Sequence, residues 1–171
     1  MFSGISPPSA QSHLIENGWI IENESNFGFG ASANVDFNFW LKPGCLIALD
    51  YELNPDMTVV GVVRSMRQQA GREGYVGIEV LSHTPSYVRL QLLTDNGGIM
   101  PEAKSFPALY LGKNDERSLP ATLVMPVFGF VQKGLYELHT QQYSGQVRLR
   151  DVLEQQDDWV RAVADIVAAA P

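Results

Sequence analysis

Hydrophobic and polar residues alternate with a period of two through most of this chain. That spacing lays one side of a β-strand on a core and leaves the other in water. Leu46 to Leu53 shows it best, with Ile47, Leu49, Tyr51 and Leu53 on one face and Ala48, Asp50 and Glu52 on the other. Earlier, Trp19 to Glu22 is a short run that ends at a turn over Asn23 to Gly28, after which Phe27, Phe29 and Ala31 alternate with glycines and small residues. Asp36 to Trp40 follows, and Lys42-Pro43-Gly44 turns the chain into the Leu46 strand. Asn54-Pro55-Asp56 leads into Thr58 to Arg67, and Gly71 to Gly74 closes a hairpin into Tyr75 to Leu81. Tyr87 to Leu93 comes next, with Val88, Leu90 and Leu92 facing one way. Short strands at this spacing, with Gly and Pro between them, predict a closed or nearly closed antiparallel barrel.

Asp95 to Ser105, a Gly-Gly-Pro-bearing connector, is the best internal boundary. Beyond it Ala108 to Gly112, Ala121 to Met125, Leu135 to Thr140 and Gln146 to Arg150 are again short strands. The last segment changes period: Trp159, Val160, Val163, Ile166 and Val167 recur at helical spacing, and Asp157 and Asp158 suit a helix N-terminus. This predicts an amphipathic C-terminal helix that packs on the barrel or dimerises. The fold expected is mainly all-β: a flexible lead-in over 1–14, an antiparallel barrel over 15–94, and a β-rich extension over 95–171 ending in that helix.

With 45% hydrophobic residues in 171, the chain has the material for a true core. Its net charge of −7 argues against general nucleic-acid binding, which needs a basic footprint, and against an anionic membrane surface. Up to Val63 the only basic residue is Lys42, set against Glu16, Glu22, Glu24, Asp36, Asp50, Glu52 and Asp56. That half repels a dianionic ligand unless a few residues override the field. The single cysteine, Cys45, excludes an intrachain disulfide and sits in an apolar run, as a buried inert thiol does. No apolar stretch is long enough to span a bilayer, and the start lacks the basic and apolar regions of a signal peptide. A cytoplasmic protein, or the tail of a longer one, is expected.

Two segments carry a resemblance. In Asn23-Glu24-Ser25-Asn26-Phe27-Gly28, the residues Asn23, Ser25 and Gly28 match a (D/N)-x-S-x-x-G motif. About fifty residues on, Val62-Val63-Arg64 and Gly77-Ile78-Glu79-Val80-Leu81 match the style of a G-x-V-x-R … G-x-G-I-E-x-L hairpin over Gly61 to Leu81. Together they resemble the PilZ domain, the small bacterial β-barrel whose best-known members bind cyclic di-GMP. The resemblance covers about half of the chain. It assigns Asn23, Ser25 and Gly28 to holding the guanine dinucleotide, and implies a place in bacterial second-messenger regulation of motility, pili, surface polysaccharide or virulence. The family's R-x-x-x-R pair, expected before the Asn23 turn, has no counterpart, since no Arg precedes Arg64. Losing both arginines removes several charge-assisted hydrogen bonds of roughly 1.5–3 kcal/mol each.

Each candidate has a plainer reading. Asn, Ser and Gly are good turn formers in their own right. Arg64 and Arg67 are either replacements for the missing pair or solvated edge charges that discourage strand aggregation. Their separation of three puts them on opposite faces of a regular strand, so one site collects both only across a bulge or at the strand end. Phe27, Phe29, Phe37, Phe39 and Trp40 form an aromatic stretch at strand periodicity, read as core or, if exposed, as a partner surface. His13, His83 and His139 have no partner at metal-ligand spacing, and no nucleophile elbow or P-loop occurs. No catalytic or metal residues are assigned, and no cofactor. The expectation is a non-enzymatic regulatory module of PilZ type, degenerate for cyclic di-GMP and acting through a protein partner. The alternative is a cyclic di-GMP receptor built on Arg64 and Arg67.

Overall fold

A computed structural model of the chain describes residues 19–169, apart from 26, 35, 52–53, 69–72, 101 and 115–117. The predicted lead-in over 1–14, His13, and Gly71 and Arg72 of the predicted Gly71–Gly74 turn lie outside the described residues. The chain divides into two compact units, one up to Thr84 and one from Pro85.

The first unit is a five-stranded antiparallel sheet of β1 (Ile20–Ser25), β2 (Gly28–Asn34), β3 (Leu46–Tyr51), β4 (Asn54–Gln68) and β5 (Glu73–Ser82). The strands lie in the order β1-β2-β5-β4-β3. Alternation decides which face is covered: Ile47 and Leu49 of β3 are buried while Ala48 and Asp50 are exposed, as their spacing predicts. They join Trp19, Phe29, Ala31, Ala33, Val59, Val63, Val76, Ile78 and Val80 in one core.

The second unit holds β6 (Ser86–Leu93), β7 (Phe106–Leu111), β8 (Thr122–Pro126), a 3-10 turn (Val127–Gly129), β9 (Leu135–His139), β10 (Ser144–Gln155) and β11 (Trp159–Ala169). Its strands close into a barrel in the order β10-β11-β8-β7-β6-β9, with β9 also paired to β10. Val88, Leu90, Leu123, Met125, Tyr136, Val147 and Leu149 fill it. Tyr136 is wholly buried, and its hydroxyl donates to Gly129 O at 2.9 Å and accepts from Val131 N at 2.7 Å. Burial raises its pKa above the ordinary 10, against an opposing effect of the Val131 N–H.

Three expectations are corrected. The closed barrel spans Ser86–Ala169 rather than 15–94, where, among the described residues, β1 and β3 end the sheet. The boundary falls at Thr84–Pro85 rather than after 94, because β6 hydrogen-bonds to β7 and β9 and belongs to the barrel. The Asp95–Ser105 connector is therefore a loop within one unit. The C-terminal helix is a strand, β11. Residues of both its faces are buried from Trp159 to Ala164 apart from the half-buried Arg161, so the alternation disappears and the apolar spacing imitates a helix. The β-branched Val160 and Val163 pair with Met125 and Thr122 of β8, in the backbone geometry such side chains prefer.

The aromatic stretch is also only partly core. Phe29 is 4% exposed, whereas Phe27, Phe37 and Trp40 are about half exposed and Phe39 is 86% exposed. Residues 36–40 form turns, not a strand, and the buried side chain there is Asn38. Asn38 Nδ2 donates to Asn34 O at 2.8 Å and its Oδ1 accepts from Trp19 Nε1 at 3.3 Å. With Asn38 pinned inward, its neighbours Phe37 and Phe39 are turned out.

Candidate functional site

The turn between β1 and β2 is built by its own side chains. Ser25 Oγ donates to Gly28 O at 3.0 Å and accepts from Phe27 N at 3.4 Å, closing the turn as a hydroxyl at this position can. Asn23 Oδ1 accepts from Gly30 N at 3.0 Å, and its Nδ2 donates to the Tyr75 hydroxyl at 2.8 Å. Register then sets a row across four strands: Asn23 lies opposite Gly30, Gly30 opposite Gly77, and Gly77 opposite Ser65. Two facing glycines leave a low floor in the outer surface of the sheet. The Tyr75 hydroxyl lies over Gly30, and a Cβ on Gly77 would come 2.5 Å from Ser65 Oγ.

Around this floor is an open, shallow concavity of about 470 Å³. It brings together Asn23, Ser25, Gly28 and Arg64 of the residues expected from sequence, and adds Gly30, Ser65, Tyr75, Gly77 and Glu79. Arg67 does not line it, although it stands opposite Tyr75 in register with its side chain exposed.

The strand carrying both arginines is not regular. Val63 pairs with Ile78 but Ser65 pairs with Gly77, so Arg64 is an extra residue in a β-bulge. Val63 is buried, Arg64 and Ser65 are exposed, Met66 packs against the core, and Arg67 is exposed again. The bulge thus puts Arg64 and Arg67 on one face, which a regular strand forbids. Arg64 is engaged within the protein: its Nε and Nη2 each lie 2.8 Å from Glu79 Oε2. Both side chains are about a third exposed, where an ion pair contributes about 0–1 kcal/mol.

Ser25 is a turn hydroxyl engaged with backbone. Among the described residues no group of three or more His, Cys, Asp and Glu could hold a metal ion. His83 lies in the first unit and His139 in the second. No helix among the described residues is long and apolar enough to cross a membrane.

Sequence reasoning missed Tyr75, Gly77, Ser65 and Glu79 as neighbours of the turn. The signal available was the pair of in-strand glycines, Gly30 and Gly77, which mark a place where something approaches the backbone closely. No family model matches the chain, and no curated protein or solved structure matches it.

Proposed function

We propose that the chain is a non-enzymatic regulatory and interaction module of PilZ type, cytoplasmic and bacterial, degenerate for cyclic di-GMP and acting through a protein partner. The observation that carries this reading is that the polar groups of the Asn23 turn are engaged by the protein itself. Asn23 holds Tyr75 and Gly30, Ser25 holds Gly28, and Glu79 sits on the Arg64 guanidinium where a ligand phosphate would have to go. A dinucleotide must displace Glu79 and gains no second arginine from before the turn. The exposed Phe37, Phe39 and Trp40 supply apolar surface for a protein instead. Calorimetric titration of the purified chain with cyclic di-GMP tests this. The expected result is a dissociation constant weaker than about 10 µM, an affinity below about 7 kcal/mol. Sub-micromolar binding would overturn it.

A second reading has one observation in its favour, the bulge that puts Arg64 and Arg67 on one face of β4. In that reading the chain is a cyclic di-GMP receptor whose phosphates meet these two arginines. Binding that is lost in both Arg64→Ala and Arg67→Ala would select it.

A further inference from the structure

The barrel carries a second concavity that the function proposed above does not use. Where β6 begins and β9 turns into β10, a cleft of about 560 Å³ opens on the second unit. That volume suits a small organic ligand. Arg89, His139, Tyr87, Gln141 and Gln142 are among the residues that line it, and no Asp or Glu is. In a chain of net charge −7, this cleft is lined by an arginine and an imidazole, with the Glu137 carboxylate beside the imidazole.

Register explains why the two basic groups meet. Arg89 is the cross-strand neighbour of His139, and Val88, Leu90 and Leu138 beside them are buried, so both side chains stand on the outer face. Directly opposed residues have Cβ atoms about 5 Å apart, within reach of one bound group. The guanidinium is already oriented: its Nη2 donates to Ser105 Oγ at 2.8 Å and to Ser105 O at 3.2 Å. Among the described residues these are its hydrogen bonds, so the Nε and Nη1 donors keep their capacity for a ligand. Glu137 holds the other end of the pair, with its Oε2 3.3 Å from His139 Nε2, which leaves Nδ1 for the cleft. Tyr87 is 64% exposed and offers a ring face with a hydroxyl at its edge.

We propose that this cleft binds a small ligand bearing a phosphate or carboxylate, with the anionic group on Arg89 and His139 and a planar ring against Tyr87. An arginine fixed at one nitrogen and presenting the others is suited to two-point recognition of such a group. The residues of this cleft belong to the second unit, and those of the Asn23 turn to the first.

The test is calorimetry and amide NMR on the whole chain with three probes: inorganic phosphate, acetate and adenosine 5′-monophosphate. Saturable binding should appear with at least one of the anions, with shifts centred on Arg89, His139 and Gln141. Stronger binding of phosphate or of acetate then names the source of the charge. The nucleotide should bind more tightly than phosphate, and Tyr87→Ala should remove that advantage. Arg89→Gln should weaken binding by about tenfold or more, the loss of one charge-assisted hydrogen bond. Arg89→Lys should recover part of it, and Arg150→Gln, an exposed arginine elsewhere on β10, should change nothing. No saturable response to any probe at millimolar concentration overturns the proposal. Binding that survives both Arg89→Gln and His139→Gln in proteins of unchanged melting temperature does so as well.

Discussion

Gly28 and Gly30 sit two residues apart on β2, yet the same substitution should affect them very differently. A Cβ on Gly28 would overlap the carbonyl oxygen of Ile78, with the carbonyl carbon at 3.5 Å and Glu79 Cα at 3.6 Å. All three are backbone atoms of β5, held by the pairing of Gly28 with Glu79. Relief requires β2 to move off β5, so Gly28→Ala should cost about 2–3 kcal/mol, the upper part of the range for overpacking. At Gly30 the atoms in the way are the hydroxyl end of Tyr75, with Asn23 Oδ1 at 3.0 Å. Tyr75 can swing outward, which forfeits the hydrogen bond from Asn23 Nδ2, about 0.5–1.5 kcal/mol. Alanine's smaller entropy in the unfolded chain returns about 0.4–1 kcal/mol. Gly30→Ala should therefore cost about 1 kcal/mol or less. Native-state hydrogen exchange at the Val63, Val76 and Ile78 amides reads the stability of the first unit alone. Equal costs, or a smaller cost at Gly28, would refute the claim that Gly28 is required by the approach of two strands rather than by a ligand.

Glu79→Gln removes the carboxylate from Arg64 and should strengthen cyclic di-GMP binding by about tenfold; an unchanged isotherm would show that Glu79 does not occupy the anion position. Tyr136→Phe should cost the second unit about 1–3 kcal/mol in urea unfolding, because it leaves the buried Val131 N–H and Gly129 carbonyl without the hydroxyl. The pH dependence follows from the raised pKa: the Tyr136 contribution is fully present below pH 10.0, where the unfolded tyrosine titrates, and is lost as pH rises toward the folded value. Tyr136→Phe should flatten that alkaline loss, and an unchanged alkaline profile would count against burial as its cause. Truncation after Gln156 deletes β11, the partner of both β10 and β8, and should abolish cooperative unfolding of the second unit while the first keeps its own transition. A native-like spectrum of Leu123 and Val147 in the truncated chain would contradict the closed barrel.

The strands were legible because half-buried strands declare themselves. Ile47 and Leu49, and Val88 and Leu90, alternate with polar or small residues and are buried where the spacing puts them. The Asn23 turn was legible because its chemistry is local, within a few residues of one hairpin. What escaped the sequence is set by long-range pairing. The extra residue at Arg64 carries no glycine or other local mark, yet it decides which face Arg67 takes. Tyr75 reaches Asn23 across 52 residues. The helix expected after Asp157 failed because β11 is buried on both faces from Trp159 to Ala164, where a strand and a core helix look alike in a single sequence. The domain boundary failed for a related reason. Gly, Gly and Pro between 95 and 105 mark a change of direction, and a change of direction occurs inside a barrel as readily as between two units.

The strand order of the barrel also sets a schedule for synthesis. β11 inserts between β10 and β8, and β8 precedes it by more than thirty residues. Until β11 has left the ribosome, β8 and β10 each display an unpaired row of backbone donors and acceptors. The barrel can therefore close only once β11 is delivered, after β1 to β5 of the first unit are already made. Slow delivery of the Asp157–Ala169 segment, by rare codons or a stalled ribosome, would prolong that exposure and turn a folding order into an aggregation hazard.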